Sequence, residues 1–382
     1  MADIGLNQSV TVGSREFHIQ TSTHVDKGYI RSEIFEKGSI LYTEFYQYEK
    51  RKQLDLKDAE KRLRKSVESF HHSIIEVLYS LFEISRKLLH TSNSAAHEKL
   101  GLVFLHMHIF DKAEQHFLQA IDNDPERFSS YVYLAKCYYF LRKYNQAYEL
   151  LTNAMRNKIH YPDMYNLMGL IMMANKKFVN AFNHFKEAIK LNPNYTEAYF
   201  NLARAILLRI SYLKSQNREK DVEQNLNFFG LILKKIEKIG SVTDRKAVSQ
   251  VLRTLRKSGI NKTLSVMDDY LDKHYVRKIP PEVVGYEFYL RLCYSDEEMS
   301  LDVLKSYEEK IAAALEEHPT FPDLWNYSAL IYLMQCRFYF LQGLDNFRES
   351  TRINPQFEKA RKNLRLVEND GREFLSLIKA IV

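Results

Sequence analysis

The sequence predicts a mainly α fold: a solenoid of helix-turn-helix units, preceded by a small antiparallel β meander and one long helix. Three observations carry this. The stretch 94–195 superposes on itself with a shift of 34 residues, a spacing at which one pair of helices forms one repeating unit. Apolar residues recur three and four apart over 56–90, and a two-residue alternation is confined to 9–48. The 12 Gly and 8 Pro among 382 residues are few, as suits long helices, whose interiors both residues destabilise.

In chain order, Val10 and Val12, then Phe17, Ile19 and Thr21, then Ile30, Ser32 and Ile34, then Ile40, Tyr42, Tyr46 and Tyr48 follow the strand period. Gly13-Ser14, Asp26-Lys27-Gly28 and Glu36-Lys37-Gly38 break it, each a turn signal. Strands this short cannot bury both faces, so the meander needs a helix, the solenoid or a second copy to lie on. The run from Arg15 to Tyr48 loosely resembles a β-rich module at the start of some bacterial proteins. Next, Leu63, Val67, Phe70, Ile74, Leu78, Leu81, Ile84 and Leu88 mark one face of the long helix, which at 1.5 Å per residue extends about 50 Å. The polar 91–94 run is the turn and N-cap that opens the repeats.

Within them, Leu100, Leu134, Met168 and Leu202 share a column, followed by the small residues Gly101, Ala135, Gly169 and Ala203. Small side chains there let two helices approach closely. Ala113, Ala147 and Ala181, then Ala120, Ala154 and Ala188, repeat the device, with Phe104, Tyr138, Met172 and Ile206 and then Phe117, Leu151 and Phe185 as fillers. Pro125 and Pro193 close two units, with Ile159 in the same column. On these residues the chain resembles the tetratricopeptide repeat (TPR) family, over three units and half a fourth.

The register fails after 210, where Glu219 falls on an apolar column. A loop over 215–221 and helices over 222–239, 244–257 and 261–274, divided by Gly240 and Gly259, are expected there. The pattern returns at 321–357, whose two helices match those of the third unit if two residues are inserted between them; Trp325 takes the bulky column, Ala329 the small one, and Pro355 closes the unit. A last helix over 357–367 carries Lys359, Arg361, Lys362 and Arg365 where an internal repeat would be buried, as a terminal cap requires. The resulting segments are 1–50 (meander), 51–93 (long helix), 94–212 (solenoid), 213–280 (divergent helices) and 281–382 (terminal repeats and cap).

Three widely spaced cysteines, Cys137, Cys293 and Cys336, fit neither a disulfide framework nor a zinc ribbon and point to a reducing, cytoplasmic setting. No apolar stretch is long enough to span a bilayer, which leaves peripheral membrane association open. The formal charge of +7 is modest, with one cluster at 50–65 containing Lys50, Arg51, Lys52, Lys57, Lys61, Arg62, Arg64 and Lys65. No phosphate loop, nucleophile elbow or HExxH helix occurs, so no catalytic residue and no cofactor is expected, and the chain reads as a non-enzyme. His71-His72 and the pair His106 and His108 lack the spacing that puts two rings on one helical face, so no metal site is expected.

What the TPR resemblance implies is a concave groove lined by the first helices of successive units. Its positions here are Lys136, Tyr139, Asn166, Leu170, Met173, Phe200 and Arg204. Glu98 and Leu102 stand where family members that clamp a C-terminal carboxylate carry Lys and Asn, so the groove is expected to accept an amphipathic helix instead. It is either open to a protein or peptide partner or filled by the chain's own long helix or meander. The functional expectation is an adaptor or scaffold that recruits a partner into a multiprotein assembly, of the kind found in bacterial motility, secretion or envelope machines. The alternative is a nucleic-acid-associated regulator using 50–65.

Overall fold

A computed structural model of the chain describes residues 3–48, 56–156, 160–276 and 280–381. Ile159 and part of the 50–65 cluster, Lys50, Arg51 and Lys52 among it, lie outside the described residues. The chain divides into two compact units: Met1–Ile109 with Pro280–Val382, and Phe110–Ile279.

In the first unit, strands β1 (Gly5–Val12), β2 (Arg15–His24), β3 (Tyr29–Glu36) and β4 (Ser39–Gln47) form an antiparallel meander in the order β1-β2-β3-β4. Lys37 and Gly38 both take positive φ, 49° and 79°, the backbone a two-residue hairpin demands for its twist to match the strands. Alternate residues of the sheet are buried, among them Val12, Phe17, Ile19, Thr21, Ile30 and Ile34. Helix α1 (Leu56–Leu88) covers that face, with Phe82 edge-on to Phe17 at 5.6 Å and His71 Nδ1 2.8 Å from Thr21 Oγ1. The long helix thus spends part of its apolar face on the meander. The rest meets α2 (Ser94–His106), whose N-cap Asn93 accepts from Ala96 N at 3.0 Å, and α11 (Pro281–Tyr294) and α12 (Leu301–Glu317).

The terminal repeat departs from expectation. Helix α13 (Pro322–Ile353) runs unbroken through the place of the expected turn, followed by α14 (Glu358–Ile381) in place of a cap ending at 367. The run Met334-Gln335-Cys336-Arg337-Phe338 offers no Gly, Pro or Asn to stop a helix. Trp325 is 57% exposed and Ala329 is exposed too, in contrast to their internal counterparts. Lys359, Arg361, Lys362 and Arg365 are all exposed.

In the second unit, α3 (Phe110–Asn123) leads into the antiparallel pairs α4 (Phe128–Phe140) with α5 (Tyr144–Arg156), α6 (Pro162–Ala174) with α7 (Phe178–Leu191), and α8 (Thr196–Ser215) with α9 (Glu219–Ile239). The loop before α9 is therefore shorter than the 215–221 expected. Leu134, Ala135, Met168, Gly169, Leu202 and Ala203 are all buried. A Cβ on Gly169 would lie 2.4 Å from the Phe185 ring, so the column is small because an aromatic of the paired helix occupies that space. The period appears in the backbone as well. His108, Arg142 and Lys176 adopt left-handed φ of 55°, 58° and 58°, and the next N–H reaches back to Phe104, Tyr138 and Met172 oxygens at 2.8 to 2.9 Å, a helix-ending motif usually built on Gly.

Helix α10 (Val242–Leu271) is split by Gly259, φ 78°, into two helical halves and continues into a π-helical turn, Asp272–Val276. A capping box starts it: Ser241 Oγ accepts from Asp244 N at 3.2 Å while Asp244 Oδ2 accepts from Ser241 N at 2.7 Å.

Candidate functional site

The groove residues all belong to the second unit, on α4, α6 and α8, because residues 34 apart in a repeat stack fall on equivalent faces. Their surroundings differ along the groove. Tyr139, Leu170, Met173 and Phe200 share one apolar core, with Phe200 fully buried and Met173 nearly so. That core also contains Met267 and Leu271 from the second half of α10, with Ile260, Leu264, Tyr270 and Tyr275 packed against it.

The segment 260–276 is therefore an occupant of the α8 end of the groove. Tyr270 lies 5.0 Å and Tyr275 6.3 Å, ring to ring, from Phe200. Arg204 Nε sits 2.5 Å from Asp268 Oδ1, yet its N–H is not aimed at that oxygen and finds no acceptor, so the contact is ionic rather than an aligned hydrogen bond. Burial raises the Asp268 pKa against the pull of Arg204. The sequence offered two internal occupants, the long helix and the meander. Within the first unit those two pack on each other, and α1 also on α11 and α12. A third segment of the chain fills this end.

What secures the strap is Asp244, at the opposite end of α10. Tyr270 OH and Tyr275 OH both donate to Asp244 Oδ1, at 2.6 and 2.8 Å, bending the second half of α10 back across its own start. Burial pushes the Asp244 pKa up, but the bonds from Ser241, Tyr270 and Tyr275 outweigh it and hold it below the ordinary aspartate range. A depressed carboxylate contributes stability that is complete above its unfolded pKa of about 4 and is lost as pH falls through the lower folded value. Asp244→Asn is expected to cost about 2 kcal/mol at pH 7 and to flatten the acid limb of stability below about pH 4. Denaturant titrations across pH 2 to 7, read by exchange at α10 amides, measure both; an acid limb as steep as the parent's would refute the assignment.

Toward α4 and α6 the groove becomes polar. Asn166 donates to Glu197 Oε1 at 3.1 Å and to Tyr195 OH at 3.3 Å, and accepts from Asn201 Nδ2 at 3.0 Å. Burial raises the Glu197 pKa, opposed by the charge of Lys136 and by the Asn166 amide. Lys136, Tyr139 and Leu170 stay half-buried, so this end retains accessible surface beside the filled one, where Arg204 is also half-buried. Among the described residues no group of three or more His, Cys, Asp or Glu is placed to hold a metal ion. His71 is spent on Thr21 rather than on a ligand.

The tyrosines and Asp244 escaped the sequence reading. Their trace was the S-x-x-D capping box at 241–244 with Gly259 midway to Tyr270 and Tyr275, a helix start and a hinge. No family model matches the chain. No curated protein matches it either. Among solved structures, MamA is similar at 17% identity over 48% of this chain and 96% of that one, TM-score 0.36. A tetratricopeptide repeat protein from Parabacteroides merdae is similar at 14% identity over 72% and 99%, TM-score 0.32. YrrB, described as a TPR protein with an unusual peptide-binding site, is similar at 12% identity over 63% and 95%, TM-score 0.30. The solenoid assignment rests on the chain's own 34-residue columns, its paired helices and its repeated turn geometry.

Proposed function

We propose, from a TPR-type solenoid that carries a helix in its own groove, that this chain is an adaptor whose α4, α6 and α8 face receives a helical segment of a protein partner. A single observation supports the reading most strongly: the groove already accepts an amphipathic helix through an aromatic contact on Phe200 and a carboxylate on Arg204, the interactions a helix-in-groove ligand makes. A partner would extend along Lys136, Tyr139 and Leu170 and compete with 260–276 for Phe200 and Arg204. The finer reading is recruitment into a multiprotein assembly, with bacterial motility, secretion or envelope machines as the setting.

A photo-crosslinking residue at Leu170 tests it. In cells it is expected to yield an adduct with another protein, stronger when Tyr270→Ala and Tyr275→Ala loosen the strap, and suppressed in extracts when a synthetic 260–276 peptide is added before irradiation. Adducts within the chain alone, unaffected by strap or peptide, would sink the proposal.

A further inference from the structure

The first half of α10 carries a second surface, unrelated to the groove. At about 100° per residue, Arg245, Lys246, Arg253, Arg256 and Lys257 fall within an arc of about 120°. Asp244, Ala247, Val248 and Val251, which are buried, and Leu252 and Leu255, half-buried, occupy the opposite arc. All five cations are exposed and, among the described residues, none is in an ion pair. Ser249 and Gln250 lie exposed between them, and Val242, 62% exposed, sits on the same arc. Exposed Lys234 and Lys238 on the last turns of α9, near Leu231 at 61% exposure, lead into the stripe. From Lys234 to Lys262 the chain has only Glu237 and the buried Asp244 as carboxylates.

Surface cations are ordinarily interleaved with carboxylates, so five on a single face without an ion pair carry a positive field; of the five, Arg245 also donates to the Ser241 carbonyl at 3.4 Å. We infer that this stripe is a docking surface for an anionic lipid membrane, to which the protein adsorbs peripherally. A cluster of four to eight basic residues on one face of a helix is the pattern that binds acidic lipid headgroups. Val242, exposed on the same arc, costs free energy in water and is tolerated at a headgroup boundary. The apolar face of α10 is committed to the core of its own unit, so attachment is electrostatic, without helix insertion. No described helix is long and apolar enough to cross a membrane. A single-stranded nucleic acid would call for aromatic side chains among the cations, and the stripe has none.

Vesicle co-sedimentation of the full chain decides the matter. Binding is expected to vesicles containing phosphatidylglycerol, to be absent for pure phosphatidylcholine, and to fall steeply with salt. Each basic residue near such a surface is worth about fivefold in binding, so Arg253→Glu, Arg256→Glu and Lys257→Glu together should lower it at least about 100-fold. Lys61→Glu with Arg64→Glu on α1, where five cations over 57–65 are interleaved with Asp58 and Glu60, should leave it near the parent's. Should the triple reversal disturb folding by circular dichroism, Arg253→Gln with Lys257→Gln and a salt titration replace it, with a loss of at least tenfold expected. Equal sedimentation with both lipids, indifference to the α10 changes, or binding to a nucleic-acid duplex tighter than to the acidic vesicles would each overturn the inference. Crosslinking at Leu170 reads the groove separately, so either result can fail without the other.

Discussion

Arg291→Met is expected to destabilise the first unit by about 3–5 kcal/mol, the cost of stranding a buried charge. Arg291 is 3% exposed and sits where α1, α11 and α12 meet. Its guanidinium reaches Glu76 Oε1 at 2.8 Å, Ser80 Oγ at 3.2 Å and Tyr307 OH at 3.4 Å. Tyr307 OH in turn donates to Glu287 Oε1 at 2.5 Å, and Ser300 Oγ to Glu76 Oε2 at 2.8 Å. Methionine fills a similar volume but leaves Glu76 and the buried Glu287 without the cation between them. Lys310, held by Glu44 on β4 at 2.8 Å, also feels the charge of Glu287, so it offsets part of the loss there and leaves Glu76 as the carboxylate that is stranded. Arg291→Lys should recover only part of the loss, because an ammonium cannot serve three partners in a plane. With two units the unfolding need not be two-state, so amide exchange of α1 and α11 is the measurement. A change below about 1 kcal/mol, typical of exposed pairs, would show that water reaches these carboxylates.

Phe200→Ala is expected to cost the second unit about 3–5 kcal/mol, as deleting a buried aromatic does. Two states of the groove give different outcomes. With 260–276 in place, Phe200 is fully buried and its ring meets Tyr270 and Tyr275. Truncation then opens a cavity and loosens the strap. A double-mutant cycle with Tyr270→Ala should return a coupling of about 0.5–1.5 kcal/mol, the worth of an aromatic pair beyond its burial. If the strap were detached in solution, the same truncation would change stability little and would appear as lost partner binding. Exchange at α8 amides and a peptide-binding assay on one variant distinguish these outcomes.

The repeats were legible because each contact they make is local and recurs. Gly101, Ala135, Gly169 and Ala203 announced a close approach, and each is buried. The meander and α1 were legible from period alone. Three features were not. The unbroken α13 was hidden because likeness to the third unit carried an expected turn along with it, although the residues at that turn favour helix. The strap was hidden because Asp244, Tyr270 and Tyr275 lie far apart in sequence and follow no repeat. The Arg291 cluster joins Glu76 to residues more than 200 positions away (|i−j| 215 and 224), and no window along the chain brings such residues together.

The pairing of residues 1–109 with 280–382 in one unit also sets an order of events on the ribosome. The sheet and α1 emerge early, but α11 and α12, which cover the remaining face of α1, are about 200 residues behind. At 5–20 residues per second the interval is about 10–40 s. Through that interval Glu76, Ser80 and Glu83 lack their partners Arg291 and Asp296, while all of 110–279 is synthesised and free to fold on local contacts. The nascent chain thus holds a half-finished first unit as a client for chaperones until residues 280–382 arrive.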